Sequence, residues 1–168
     1  MVKMKFYKNF NILKKHKRSI ILIGNFDGVH LGHQKLLRQA NIYKKKYKLK
    51  IGVVTFDPMP KMYFNKKIKN FKISNIYQKN KILESYGVDF IITKEFNKKF
   101  SKIKSDFFIK EFLFKKLKVK YLFVSNNFKF GNNREGDVKK LIQNEVNYNY
   151  KIIKPNPLVL NKKIVSST

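Results

Sequence analysis

Five short apolar runs, each separated from the next by a stretch with helical periodicity, constrain the fold of this chain most. The runs are Ser19–Asn25, Lys50–Phe56, Asp89–Thr93, Tyr121–Ser125 and Tyr150–Lys154. They are rich in Ile, Val and aromatics with little polar alternation, as in strands covered on both faces. Between them, Leu31–Tyr43 places Leu36, Leu37, Ala40 and Tyr43 on one stripe, and Ile76–Tyr86 stops before Gly87, a suitable C′ residue. Asp106–Leu117 follows Ser105 as a candidate cap, and Val138–Val146 follows Asp137 as another. The alternation predicts an α/β protein: a Rossmann-like open parallel sheet flanked by helices, in a single domain. Two longer connections, Asp57–Ser74 and Asn126–Gly136, follow strands and therefore lie over the carboxyl edge of the sheet, where open α/β folds bind ligands.

Composition narrows the function classes. The chain has no cysteine, so disulfides and thiolate metal sites are excluded. The lysine-rich segment Met1–Arg18 lacks the apolar run of a signal peptide, and no run approaches the ~18 apolar residues that span a bilayer. A cytoplasmic protein without a membrane partner is expected. The net charge of +29 invites a nucleic-acid reading. However, only Arg18, Arg38 and Arg134 are arginines, Ala40 is the only alanine, and Asn, Ile, Phe and Tyr are abundant. An A/T-rich bacterial genome accounts for that whole pattern, whereas nucleic-acid binding accounts for the lysines alone and would favour arginine. Nucleic acid is therefore not the expected partner, although the charge favours anionic ligands.

Chemistry concentrates in Gly24-Asn-Phe-Asp-Gly-Val-His-Leu-Gly-His33, between the first apolar run and the first helix. Gly24 and Gly28 suit backbone angles closed to other residues, and Gly32 suits close approach of a ligand or strand. His30 and His33, three residues apart, share a helix face at a terminus whose unpaired amides attract anions. The spacing matches neither the dinucleotide Gly-x-Gly-x-x-Gly pattern nor the P-loop. Histidines in the place of a P-loop lysine can donate to phosphate and gain positive character beside it.

The run Gly24–Leu37 resembles the signature of the His-x-Gly-His nucleotidylyltransferases, specifically the bacterial FAD synthetases (FMN adenylyltransferases). Three further segments match in order. They are Val54-Thr-Phe-Asp-Pro-Met-Pro60, then Asn127-Phe-Lys-Phe-Gly131 with Arg134 and Gly136-Asp137, and finally Val165-Ser-Ser-Thr168. The resemblance implies transfer of AMP from ATP to FMN, giving FAD and pyrophosphate, with Mg²⁺ accompanying ATP through ligands the sequence does not assign. It implies that His30 and His33 are catalytic. It places ATP on Gly24, Phe26, Asp27, Gly28, His30, Gly32, His33, Asn127, Arg134, Ser167 and Thr168. It places FMN on Phe56, Asp57, Pro58, Phe64 and Phe128. The segment Phe56–Phe64, with Met59, Met62 and Tyr63, serves either as a wall for the isoalloxazine or as a loop tucked onto the core. Phe128 and Phe130 pose the same choice, one facing ligand and the other the core. The scarcity of arginine gives Arg134 a functional reading as a bidentate anion ligand.

The chain also departs from the family pattern. Met59 stands where the family has histidine, and Ser125 where a glycine is common. Family members continue past Ser-Ser-Thr into an arginine-bearing helix and a riboflavin kinase domain. Residues 1–168 are therefore expected to form the adenylyltransferase domain alone, with Lys162 and Lys163 partly standing in for the arginine, or a partner chain supplying those elements. Two alternatives to an active FAD synthetase are a non-catalytic ATP- or flavin-binding remnant and a sister transferase acting on another phosphate-bearing substrate.

Overall fold

The computed structural model describes residues 2–68, 75–154, 159–160 and 162–164. In chain order the strands are β1 Lys5–Tyr7, β2 Ile20–Ile23, β3 Ile51–Asp57, β4 Phe90–Glu95, β5 Tyr121–Phe123, β6 Lys129–Phe130, β7 Gly136–Asp137, β8 Lys151–Ile153, β9 Val159–Leu160 and β10 Lys163–Ile164. Six of them form one parallel sheet in the order β1-β4-β3-β2-β5-β8. The chain winds outward from β2 through β3 to β4, then crosses to β5 and β8 on the other side. The reversal of direction falls between β2 and β5, where the connections leaving their carboxyl ends diverge and open a crevice.

All five expected strands are present. β1 was not expected, because a run of three residues inside the lysine-rich segment carries too little apolar signal. It joins the sheet by pairing with β4, Phe6 opposite Ile91.

Side-chain alternation along the buried strands divides the core into two layers. Ile20, Leu22, Val53, Ile91 and Phe123 face α1 (Leu31–Tyr47) through Leu37 and Ala40, and α3 (Ile76–Ser85) through Leu83. Ile21, Ile23, Val54, Ile92 and Leu122 face the opposite layer with Phe108, Ile109, Leu113 and Leu141. Gly52 allows the centre to close. A Cβ there would stand 2.2 Å from Cζ of the Phe90 ring.

The smaller helices are α2 Pro60–Phe64, α4 Lys98–Ser101, α5 Ser105–Phe107, α6 Val138–Gln143 and α7 Glu145–Tyr148. α3 begins with a reciprocal capping box between Asn75 and Gln78 and ends before Gly87 at φ +81°. Asp137 caps α6 by accepting from the Lys140 amide.

Two helix expectations are corrected. Ser105 is not a cap: it lies inside α5, fully buried, and its amide donates to Glu135 Oε1 at 2.8 Å. The helix continues as a π-helix over Phe108–Lys116. The stretch after Asp137 breaks at Asn144 between α6 and α7.

Candidate active site

The turn after β2 makes an unusual local structure. Phe26, Gly28 and Val29 all have positive φ, at 52°, 68° and 41°. Only Gly28 takes such an angle without steric cost, and a β-branched residue there is strained. The strain aims the chain so that His30 becomes the N-cap of α1 and His33 falls in its first turn. Gly24 does not need a special φ. It is required by contact, since a Cβ would come within 3.2 Å of the Phe26 ring. That ring, 2% exposed, lies 4.6 Å from the His33 ring, which stacks on His30 at 3.9 Å and 22°. The Phe26 ring therefore seats His33.

Hydrogen bonding fixes the state of His30. Its Nδ1 accepts from the Gly32 amide at 3.1 Å, so in the neutral ring the proton sits on Nε2. That Nε2 and the Nδ1 of His33 are buried without a hydrogen-bond partner among the described residues. Buried polar atoms are normally paired, so two neighbouring nitrogens without a protein partner leave hydrogen-bonding capacity for a ligand or an ordered water. Burial lowers the pKa of both rings, that of His33 to about 3, with His30 as the next contributor. Both histidines are neutral donors at pH 7, and positive character would have to be induced by an approaching anion. His16, the third histidine, is structural: it accepts or donates at Tyr7 Oη (2.6 Å) and stacks on Phe90.

Beside the histidine turn lies a small cleft of about 30 Å³, bounded by Asn25, Asp27, Phe56, Asp57 and Lys79. It joins the end of β2 to the end of β3, and so brings the first and second motifs together. Lys79, from α3, donates to the Asn25 carbonyl at 3.2 Å and to Thr55 Oγ1 at 3.4 Å. Thr55, buried, itself donates to the Asn25 carbonyl at 3.3 Å. Neither Lys79 nor Thr55 was singled out from the sequence as a site residue. Lys79 is one lysine among many, and only the topology brings α3 over the two strand ends.

The Asp57–Pro58 peptide leads into α2. Met59 is buried, and Phe64 is exposed, edge-on to Tyr63 and Phe96. Phe56 packs on Phe96 and Phe100. The segment thus packs Met59 onto the core and leaves Phe64 open to solvent.

The third motif is largely architectural. β6 and β7 form a two-stranded antiparallel ribbon. Phe130 lies across Gly136, where a Cβ would meet the ring at 2.7 Å. Gly131, at φ +79°, abuts Ser105, whose amide nitrogen would be 2.8 Å from a Cβ. Glu135 and Lys140 tie the loop to the start of α5 through Ser105 Oγ at 3.2 and 2.7 Å. The bond from the Ser105 amide, with a smaller contribution from its hydroxyl, holds the Glu135 carboxyl below its usual range. Phe128 and Phe130 do not divide between ligand and core. Residues two apart share a face of an extended chain, and the rings stack at 5.5 Å against the same cluster. Asn127 is exposed, its Oδ1 accepting from Ser125 Oγ at 2.9 Å, and Arg134 is exposed at φ 57°. Among the described residues no hydrogen bond or ion pair joins either side chain to the histidine turn. Ser167 and Thr168 lie outside the described residues.

Comparison with known proteins identifies the family and the fold. A family model described as FAD synthetase matches residues 12–168. A bifunctional riboflavin kinase/FMN adenylyltransferase of Buchnera aphidicola from Schizaphis graminum is 38% identical over 98% of this chain and 54% of its own length. The protein of that description in Escherichia coli K12 is 32% identical over 89% of this chain and 48% of its own. The chain thus spans about half the length of the curated relatives it matches. A crystal structure titled macrolide-efflux protein, from Streptococcus pneumoniae, superposes with TM-score 0.81 at 25% identity, covering 99% of this chain and 54% of that one. The pantoate-beta-alanine ligase of Francisella tularensis shares the fold alone, at TM-score 0.57 and 16% identity over 95% of this chain and 69% of that one. Among the described residues no helix is long and apolar enough to cross a membrane.

Proposed function

The chain belongs to the FAD synthetase family, and from that premise we propose that it transfers AMP from ATP to FMN, yielding FAD and pyrophosphate. The observation that carries the reading is the stacked, neutral His30/His33 pair at the mouth of α1, with two buried nitrogens lacking partners. A phosphate oxygen of the FMN attacks the α-phosphorus of ATP in line, the bond to the bridging oxygen breaks, and pyrophosphate leaves with that oxygen. No covalent intermediate on the protein is needed, so catalysis consists of positioning and charge stabilisation.

In this scheme His30 Nε2–H donates to a phosphate oxygen, and the amino end of the seventeen-residue α1 adds its dipole. His33 binds alongside, and each ring gains protonated character as negative charge builds up on the leaving group. The wall holding the flavin is Phe56 and Phe64, with Asp57 and Pro58 at the turn between them.

Magnesium fits this site as an ion carried in by the nucleotide. Asp27 and Asp57 border the cleft as hard oxygen donors, while among the described residues no group of three or more His, Cys, Asp or Glu forms a complete cage. Bound there, it would neutralise phosphate charge.

The test is to incubate the protein with ATP, Mg²⁺ and FMN and to separate the flavins. FAD and pyrophosphate in equal amounts are the expected products. FMN consumed without FAD, or neither flavin bound, would overturn the reading.

A further inference from the structure

The histidine turn occupies the carboxyl edge of the parallel sheet, and the opposite, amino edge gathers a line of cations. Backbone pairing fixes their order. The Ile20 amide donates to the Lys50 carbonyl, the Lys120 amide to the Ser19 carbonyl and the Lys151 amide to the Lys120 carbonyl, while the Arg18 amide donates to the Leu117 carbonyl. Lys50, Arg18, Lys120 and Lys151 therefore stand at the entrances of the consecutive strands β3, β2, β5 and β8. At the usual strand spacing that line is about 14 Å long. Lys48 and Lys118 precede β3 and β5 on the same edge. Asp89, which enters β4, is taken by Lys44 at 2.8 Å and Lys50 at 3.9 Å. Among the described residues, Arg18, Lys48, Lys118, Lys120 and Lys151 pair with no carboxylate. The helix carboxyl ends that face this edge carry only about half an elementary charge each, so it stays strongly positive.

An A/T-rich genome sets how many lysines the chain has, not where they stand. Five strands are entered through a residue of positive φ: Arg18 at 58°, Lys48 at 54°, Gly87 at 81°, Lys118 at 50° and Asn149 at 52°. Gly and Asn take that conformation most readily, and the same genomic bias supplies Asn freely. Three of the five nonetheless hold Lys or Arg, one of them among the chain's three arginines. The line also includes an aromatic step. Tyr47, the last residue of α1 and 42% exposed, stacks on Tyr121, the first of β5, at 5.0 Å and 24°. The Lys46 ammonium lies 5.3 Å from the Tyr47 ring centre, and Lys48 and Lys120 flank the pair in sequence.

We propose that this edge binds a single-stranded nucleic acid, with phosphates along the cations and a base against Tyr47. A strand fits it better than a bilayer surface, because the cations form a line and do not surround an apolar face. The site lies at the far end of the strands from His30 and His33, so the inference is independent of the adenylyltransferase reading.

The experiment measures fluorescence anisotropy of a labelled oligothymidylate of about 15 nucleotides across a series of KCl concentrations. It compares wild type with Arg18→Gln/Lys118→Gln/Lys120→Gln and with Lys98→Gln/Lys99→Gln/Lys102→Gln, which removes the same charge from the exposed surface beyond the carboxyl end of β4. The edge variant is expected to bind at least about tenfold more weakly and to lose about two from the slope of log K against log salt, the control staying within about twofold of wild type. Tyr47→Ser should weaken binding about fivefold with the slope unchanged. Circular dichroism checks the fold, and Arg18→Gln or Lys118→Gln alone should each lower the slope by about 0.7 if the triple variant does not fold. Equal losses in the two triple variants, no effect of Tyr47→Ser, a wild type that ignores the oligonucleotide, or one that prefers phosphatidylglycerol vesicles would overturn the proposal.

Discussion

At the scale of single residues, the site depends on imidazoles kept uncharged. His33 titrates near 3 in the folded chain against about 6.5 when unfolded. The unfolded chain therefore takes up a proton first as pH falls, and the stability associated with the neutral ring, complete above about pH 6.5, is lost on the way down to pH 3. Between pH 7 and pH 5 that loss is on the order of 2 kcal/mol from His33 alone. Urea midpoints at the two pH values measure it, and His33→Asn should flatten the dependence; an equally steep slope in the variant would assign it elsewhere. His16 and His30, whose pKa values are lowered mainly by burial, act with the same sign. The sequence brings the two histidines of the motif together as a candidate anion-binding pair, and the structure stacks their rings. Their neutrality was not legible in the sequence, because it follows from burial and from the Gly32 amide on His30 Nδ1.

At the scale of elements, the loop following β5 shows motif residues with structural duties of their own. Phe130, Gly131, Gly136 and Asp137 are explained by packing and capping: a ring on a glycine, a left-handed turn against Ser105, and a cap for α6. Gly131→Ala combines an unfavourable φ with a 2.8 Å encounter with backbone, and is expected to cost about 2–3 kcal/mol by denaturant unfolding. A cost below about 0.5 kcal/mol would mean the ribbon shifts freely. Gly52→Ala should be worse still, since Phe90 is walled in on the buried face of the sheet. The parallel strands and flanking helices were readable because apolar runs of that length and spacing permit few other arrangements. β1 was missed because three residues among lysines carry no period, and the π-helix because it depends on tertiary packing of Phe108, Ile109 and Leu113. Glu135 escaped notice for a related reason: its partner Ser105 is thirty residues away.

At the scale of the whole molecule, a charge of +29 surrounds a candidate site whose proposed ligands are polyanions. Screening should raise the KM for ATP and FMN several-fold between about 50 and 500 mM KCl while kcat stays within about twofold. A kcat that falls with salt as steeply as 1/KM would mean the charge acts on the chemical step. The strand order places the motifs after β2 and β3 at adjoining strand ends, with the motif after β5 across the switch point. All of this converges on one claim, that His30 and His33 form the site of adenylyl transfer. Its most direct measurement is the rate of FAD formation from FMN and Mg²⁺·ATP by wild-type protein and by His30→Ala/His33→Ala. FAD should form with the wild type and fall at least about 10³-fold in the double variant, with the fold intact by circular dichroism. A folded double variant that makes FAD at the wild-type rate would contradict it.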